Sequence, residues 1–425
     1  MKNRISYAIK SVSILLFAIA LVTVLMIAVY FLPTDRMFSH AKESKDFFGE
    51  QYINSWTPNV TSTKLSYSTD AIMINNAIYS DNETAIYNAM MTPRYNIPQR
   101  LPQESLYSVL EQEKADDIRP VRKIVSLIDS TSTSTPDNRI ETVYYPRYWH
   151  GYLLVLKPML LFFNISEIKM MSLMIQVLLS FICIYLLYKK TGPGMAVAFI
   201  TTWIILNPVT MILTMAESTI YIIACIAIAA LLLMDHRLSN NRVSYITFAI
   251  LGVATAFFDF LTYPLLSLGI PLIVAIVIRS KNSEDSTIMY IICNSIYWSF
   301  GYVGLWCGKF VACSLLTDYN AIKGAIESIM FRAGLGDIAD KYDTSVVLAI
   351  KSNIDALINW QTIALILLIT FGAVVMHVKD YRRHIPKKEA ISICLVGLMP
   401  FVWYAVTSNH SVIHSYFTYR ELGIV

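Results

Sequence analysis

The residues of this chain best suited to chemistry stand at the edges of apolar runs. Arg147 and His150 lie in YYPRYWHGYLLVLKPMLLFFN, where a polar stretch gives way to Leu and Phe. Glu217 stands in TMAESTIY, Asp259 in FFDFLTYPLL and Lys309 just after GLWCG, while Arg332, His410, His414 and Arg420 follow near later apolar segments. Ionisable groups beside membrane spans are costly, so they mark either function or mutual pairing. Each also has a plain structural use. Glu217 can cap a helix N-terminus, where the dipole favours a carboxylate. Asp259 can close a span before the turn-forming Tyr-Pro, His150 can be a satisfied interfacial histidine, and Lys157 can snorkel its ammonium to water. Arg420 is harder to place structurally, because TYRE lies inside an apolar run with a single nearby carboxylate.

These residues need a scaffold, and composition names its class. Of 425 residues, 55% are hydrophobic and 15% charged, and the mean hydropathy is +0.51. Such a chain is too apolar for water, and its apolar residues arrive in blocks near the roughly 20 residues that a helix needs to cross about 30 Å of hydrocarbon. The blocks are continuous and lack the alternation of a barrel. The fold class expected is an all-α polytopic membrane protein of nine to ten transmembrane helices. The six cysteines are scattered without a CxxC pair, which implies neither a zinc site nor a disulfide framework. HExxH, P-loop and GxSxG patterns are absent, and the glycines of TGPGMA and AGLGD do not sit in a βαβ unit.

The basic N-terminus MKNRISYAIK precedes an apolar run to Leu32, which reads as an uncleaved first span over residues 1–32 with its N-terminus in the cytoplasm. A polar segment follows over 33–147, then an apolar segment over 148–164, and a bundle over 165–425 with a second loop at about 316–360. Spans are expected near 168–188, 194–210, 217–234, 243–259, 263–279, 286–306, 361–378 and 390–407. If 148–164 lies along the interface and does not cross, then Lys189-Lys190, Arg237 and Arg242, Arg279 and Lys281, and KDYRRHIPKKE all join Lys2, Arg4 and Lys10 on one side. The positive-inside rule makes that side cytoplasmic and the 33–147 loop extracytoplasmic, in a multi-pass protein of the cell membrane. The loop carries 12 Lys+Arg and 15 Asp+Glu, a mixed surface unlike a nucleic-acid site. Its stretch ESLYSVLEQEKADDIRPVRKIVSLID has the apolar spacing of short amphipathic helices. The run HSYFTYRELGIV at the end is short for a span, which suggests a re-entrant tail or a chain cut from a longer one, the latter favoured.

The order of parts resembles the GT-C superfamily of polytopic glycosyltransferases, particularly its protein O-mannosyltransferase and aminoarabinose-transferase-like branch. YPRYWHGYLLVLKPMLLFFNISEIKMMSLMIQVLLSFICIYLLYKK is similar to the family's interfacial helix, turn and second span, with the turn at Asn164–Ser166. AVAFITTWIILNPVTMILTMAESTIYIIACIAIAALLLMDHRL is similar to its paired spans joined through a Pro and a polar hinge. The resemblance implies membrane-parallel helices in the first loop, and sugar transfer from a polyprenyl-phosphate donor to a cell-envelope glycan or protein at the outer face, among membrane lipid and without nucleic acid. It also implies a catalytic carboxylate in the first loop, for which Asp70 ranks above Asp81 and Asp35, with Glu83 beside them in TDAIMINNAIYSDNETAIYNAM. Cations would stabilise the departing phosphate: Arg147, Lys309, Arg332 and Arg420, aided by His150 and His414, with Glu217 and Asp259 completing the substrate-binding set. No cofactor is indicated, no metal ligands are assigned, and divalent-metal dependence is left open. The alternative is a transporter or flippase for a lipid-linked or small polar substrate, with Pro208, Pro264 and Pro271 marking broken helices. A third reading is a non-enzymatic assembly or sensor protein.

Overall fold

The computed structural model describes residues 2–43, 54–55, 57, 59–96, 121–123, 141–238, 240–280, 287–335, 345–377 and 387–425. Helix α1 (Lys2–Val29) leads into a layer of short elements: α2 (Asp35–Glu43), β1 (Asn54–Ser55), β2 (Lys64–Leu65), α3 (Tyr67–Ile78), α4 (Ala85–Met91), β3 (Pro93–Asn96), β4 (Val121–Lys123), β5 (Glu141–Tyr144) and α5 (Leu153–Leu160). The bundle then runs through α6 (Ile165–Thr191), α7 (Pro193–Ile205), α8 (Pro208–Leu213), α9 (Met215–Leu233), α10 (Asn241–Phe258), α11 (Leu266–Ser280) and α12 (Thr287–Leu316). After it come α13 (Ala321–Arg332), α14 (Val346–Leu357), α15 (Trp360–His377), α16 (Lys387–Gly397), α17 (Met399–Val406), α18 (Ser408–Ile413) and α19 (Ser415–Thr418).

Among the described residues six helices are long and apolar enough to cross a membrane: Lys10–Val29, Ile165–Thr191, Met215–Leu233, Asn241–Phe258, Thr287–Leu316 and Glu389–Val406. A seventh is added if Val346–Leu357 and Thr362–Gly372, bent by 68°, form one span. Two of the spans expected from hydropathy fall short of that length, for two physical reasons, although the contacts of Lys190 with Asp235 at 2.7 Å and of Arg279 with Asn241 at 2.6 Å show that the chain runs back across the bundle through both. The expected span 194–210 is cut at Asn207, which is left-handed at φ 57°, caps Thr210 N with its side chain and precedes Pro208. What is left of it, α7, has 13 residues, about 20 Å. The expected span 263–279 is the 15-residue α11, apolar because it is enclosed by protein: Leu266, Leu268, Leu272, Val274, Ala275 and Ile276 are all buried. A helix that is apolar all round belongs in a core as readily as in lipid.

Local chemistry explains the firmest boundaries. The Asn164 side chain accepts from Glu167 N at 3.0 Å and Glu167 Oε2 accepts from Asn164 N at 2.9 Å, a reciprocal capping box that starts α6. Helices α10 and α12 meet through small residues. A Cβ on Gly252 would lie 2.0 Å from the Trp298 carbonyl oxygen, and one on Gly301 would lie 2.1 Å from that of Ala249. Such contact is how helices associate in lipid, where burial of apolar surface gives no preference for a neighbouring helix.

The layer between α1 and α6 shares its core with the spans: Met26 and Val29 of α1 pack with Met37, Ile74, Met90, Tyr144, Trp149 and Leu153. It also contains two small sheets, an antiparallel β1–β2 pair and a β3–β5–β4 sheet in which β5 runs antiparallel to β3 and parallel to β4. Of the stretch expected to form amphipathic helices, only Val121–Lys123 falls among the described residues, and it is a strand. Helix α5 has eight residues, about 12 Å, too short to cross. Residues 408–424 form short helical turns in which Asn409, Tyr419, Arg420 and Glu421 are buried.

Replacing Gly252 or Gly301 by Leu must push α10 and α12 apart. Detergent-solubilised G252L and G301L are expected to lose most folded yield in fluorescence-detected size exclusion, whereas a Leu at Gly372, which has open space around it, is tolerated.

Candidate active site

A cleft of about 290 Å³ opens where α1 ends, lined by Tyr30, Leu32, Pro33, Thr34, Asp35, the Tyr79–Asp81 turn, Glu83, Ala85, Asn88 and Lys157. It brings together two acids far apart in sequence, Asp35 and Asp81. Asp35 opens α2 and is exposed; Asp81 and Glu83 are half-buried. Asp81 is held from three directions. Its Oδ1 accepts from Glu83 N at 3.0 Å and Asn88 Nδ2 at 2.7 Å, and its Oδ2 accepts from the Tyr79 hydroxyl at 3.1 Å. The Tyr79 oxygen also lies 2.8 Å from Thr142 Oγ1 on β5, and burial raises the Tyr79 hydroxyl pKa, so it stays a donor. Asp81 thus keeps a defined orientation with acceptor capacity remaining on Oδ2. Lys157 projects from α5, donates to the Ala77 carbonyl at 3.0 Å and sits 4.8 Å from the Tyr30 ring. Burial pulls its pKa down to about 8, so it is not a snorkelling surface lysine. Asn88 is buried beside it, with its Oδ1 lacking a hydrogen-bond partner.

Asp70 is elsewhere. It is fully buried, pairs with Lys169 at 3.0 Å, and accepts from Met215 N at 3.1 Å and Ala216 N at 3.2 Å. This is a carboxylate capping the N-terminus of α9, with both oxygens occupied. Lys169 reaches the Leu213 carbonyl as well, at 2.8 Å. One residue past that cap, Glu217 pairs with Arg420 at 2.8 Å. Arg420 also donates from Nε to the Leu206 carbonyl at 2.7 Å and from Nη1 to that of Tyr416 at 3.3 Å, with the Tyr419 ring 4.9 Å away. The Tyr263 hydroxyl donates to the Glu217 carbonyl. Glu217 and Arg420 thus neutralise each other through Oε2, while Glu217 Oε1 has no hydrogen-bond partner among the described residues. Asp259 organises its own turn, accepting from Leu261 N at 2.9 Å, Thr262 N at 3.0 Å and Thr262 Oγ1 at 2.5 Å. These bonds hold Leu261 at φ 71°, a costly left-handed conformation for a leucine. Burial pushes the Asp259 pKa up to about 6 against those bonds.

The predicted Arg147 and Arg332 converge, with Arg94, on a tyrosine-rich layer beside the cleft. Arg94 and Arg147 lie 5.8 and 5.2 Å from the Tyr145 ring, and Arg332 lies 5.5 Å from the Tyr148 ring and donates to its hydroxyl. His150 Nε2 is 2.9 Å from the Tyr145 carbonyl, which can only accept, so Nε2 carries the proton. Its Nδ1 then accepts from Tyr152, 3.1 Å away, and that hydroxyl in turn accepts from Asn76 Nδ2 at 2.8 Å. His150 is left-handed at φ 54°. The next residue must be glycine: a Cβ on Gly151 would stand 2.5 Å from the Phe257 carbonyl oxygen, to which Gly151 N donates. Lys309 donates to the Ala89 carbonyl at 2.9 Å and lies 5.3 Å from the Trp149 ring. His414 stacks on Phe417 with ring centroids 5.1 Å apart, and His410 Nε2 donates to the Leu261 carbonyl at 2.7 Å. Burial first, then the charge of Lys309, pulls the His150 pKa down to about 3; burial first, then Arg332, pulls that of His414 to about 4.

Of the sequence-derived set, Asp35 and Asp81 share the cleft, and Arg147, His150, Arg332 and His414 share the neighbouring layer. Asp70, Glu217, Asp259, Lys309 and Arg420 lie outside the cleft lining, engaged in ion pairs, turn bonds or, for Lys309, the Ala89 carbonyl. Sequence reading missed Arg94, Asn88 and Tyr79. Arg94 faces Val143 across β3–β5, a register that MMTPRYN does not announce. Asn88 stands seven residues after Asp81 in NETAIYNAM, a spacing that only the turn between them makes meaningful. Among the described residues no group of three or more His, Cys, Asp or Glu could hold a metal ion. Fold and site define a multi-pass α-helical membrane protein with an acidic cleft at the end of its first span. No family model, curated protein or solved structure matches the chain.

His150 and His414, both held neutral by burial, carry a pH signature. Their native pKa values lie below the ordinary histidine value, so the unfolded state binds more protons between about pH 4 and 6.5. Their contribution is complete above that window and is lost as pH falls through it, at about 1.4 kcal/mol per pH unit for each. Asp259 is shifted the opposite way, so the test compares variants. The fall in melting temperature from pH 7 to pH 5 is expected to be smaller in H150Q/H414Q than in the parent; an unchanged fall contradicts the assignment.

Proposed function

We propose that this chain is a membrane glycosyltransferase of GT-C type, which moves a sugar from a polyprenyl-phosphate donor to a cell-envelope acceptor at the outer face, with Asp81 as general base. The observation that carries the reading is the cleft itself: Asp35 and Asp81 converge at the end of a membrane-spanning helix, and Asp81 is oriented by Tyr79, Glu83 N and Asn88. A site at that level suits a donor whose polyprenyl chain lies in the bilayer while its phosphate and sugar stand at the boundary. The volume, about 290 Å³, is at the small end of ligand sites, as fits one sugar unit.

In the proposed step, Asp81 takes the proton of the acceptor hydroxyl as its oxygen bonds to the anomeric carbon. The bond from that carbon to the phosphate oxygen breaks, and polyprenyl phosphate leaves with the bonding electrons. Asp35 assists in orienting the acceptor. Lys157 in the cleft, and the Arg94, Arg147 and Arg332 layer next to it, supply the positive potential that the departing phosphate needs. Neutral His150 and His414 contribute hydrogen bonds and no charge. The outward orientation rests on the basic loops Lys189-Lys190, Arg237 and Arg242, which the positive-inside rule assigns to the cytoplasm.

Asp81→Asn in proteoliposomes is expected to lower transfer of labelled sugar from polyprenyl-phosphate donor by about 100-fold or more at equal folded protein, the usual range for loss of a general base. Asp35→Asn should cost less. Full activity in both variants and in their combination ends the reading, and movement of the lipid-linked sugar across the bilayer without product would point to a flippase.

A further inference from the structure

Helix α13 has three chemically distinct faces. Ala321, Gly324, Ala325 and Ser328 are buried against the protein. Ile322, Ile326, Ile329 and Met330 are exposed, Ile326 to 55%, and their i, i+4, i+7, i+8 spacing puts them on one arc of about 100°. Lys323, exposed, and Glu327, half-buried, stand at the edge of that arc. A twelve-residue helix, about 18 Å long, cannot cross a bilayer. Its exposed arc nonetheless lies next to the exposed apolar residues of a candidate membrane span. Ala321 N donates to Ser314 Oγ at 3.1 Å, so α13 starts against the last turn of the Thr287–Leu316 span. That turn exposes Val311 and Leu315, the latter to 78%. Beyond the helix Leu335 is exposed too.

We propose that α13 is a membrane-inserted interfacial helix whose isoleucine arc is covered by phospholipid acyl chains, with Lys323 and Glu327 at the water edge. The occupant is lipid because the arc is continuous with the lipid-facing side of a span. The insertion has a consequence at the layer beside the cleft: the last residue of α13 is Arg332, which reaches the Tyr148 hydroxyl. Two further contacts fix the same end, Asn409 Nδ2 to the Phe331 carbonyl at 2.8 Å and Ser408 Oγ to that of Ala333 at 3.3 Å. Lipid on one face and the tail on the other together position Arg332.

The test places a nitroxide at I322C, I326C, I329C and K323C in the full chain in phospholipid nanodiscs, after replacing the accessible Cys293, Cys307 and Cys394 by Ser. The ratio of oxygen to nickel-chelate collision rates is expected to be about tenfold higher at the three isoleucine positions than at Lys323, as for acyl-chain against water contact. A bimane on the same cysteines, quenched by lipids brominated on the acyl chain, gives a second readout. The proposal is overturned if the nickel chelate reaches Ile326 as readily as Lys323, which puts the arc in water. It is overturned equally if both colliders are excluded and the bromines fail to quench, which puts another protein surface on it.

Discussion

Two buried ion pairs meet at the N-terminus of the Met215–Leu233 helix. Asp70 caps its first two N–H groups and pairs with Lys169, and Glu217 pairs with Arg420. A single charge at such depth costs several kcal/mol, and only a partner with further hydrogen bonds offsets it. Each partner here comes from a different part of the chain. Asp70 belongs to the layer between the first two spans, Lys169 to the Ile165–Thr191 span, and Arg420 to the C-terminal residues. The ion pairs therefore decide how three segments meet. Asp70 stands in the first turn of α3, and the far end of that helix delivers Tyr79 and Asp81 to the cleft. The pin at one end sets the position of the acid at the other.

Charge is partitioned by neighbourhood. The cleft has Asp35, Asp81 and Glu83 against one buried amine, Lys157. The layer next to it has Arg94, Arg147 and Arg332 around Tyr145 and Tyr148, with His150 kept neutral. Helix α4 joins the two, since Asn88 holds Asp81 while the Ala89 carbonyl receives Lys309. Under the proposed reaction this arrangement gives the acceptor and the phosphate different surroundings. A carboxylate base would be weakened by direct contact with guanidinium groups, and the departing phosphate would be opposed by carboxylates.

How much of this was legible in the sequence depended on whether a residue's role is local. The capping box at Asn164 and Glu167 is a local pattern, and the start of α6 could be read from it. The membrane class followed from apolar runs, but the lengths of the helices did not, because an apolar run looks the same whether protein or lipid surrounds it, as the enclosed Leu266–Ser280 illustrates. The ionisable residues at run ends stand out in the sequence, but their partners do not. Pairing accounts for Glu217 and Arg420, and turn formation accounts for Asp259. Asp70 and Asp81 look alike as candidate acids in the sequence, since nothing in TDAIMINN tells that Lys169 and a helix end will close over Asp70. Arg94 came into the cationic layer through strand register, which a single sequence does not state.

The central claim is that Asp70 is the joint and Asp81 the working acid. A double-mutant cycle on the joint separates these roles most directly, with unfolding of detergent-solubilised protein and sugar transfer measured on the same samples. Asp70→Asn alone leaves Lys169 buried and uncompensated and should cost about 3–5 kcal/mol of stability. Adding Lys169→Met should restore much of that loss, and the double variant should regain transfer in proportion to its folded fraction. A double variant that folds like the parent yet transfers no sugar would contradict the account and return the catalytic role to Asp70.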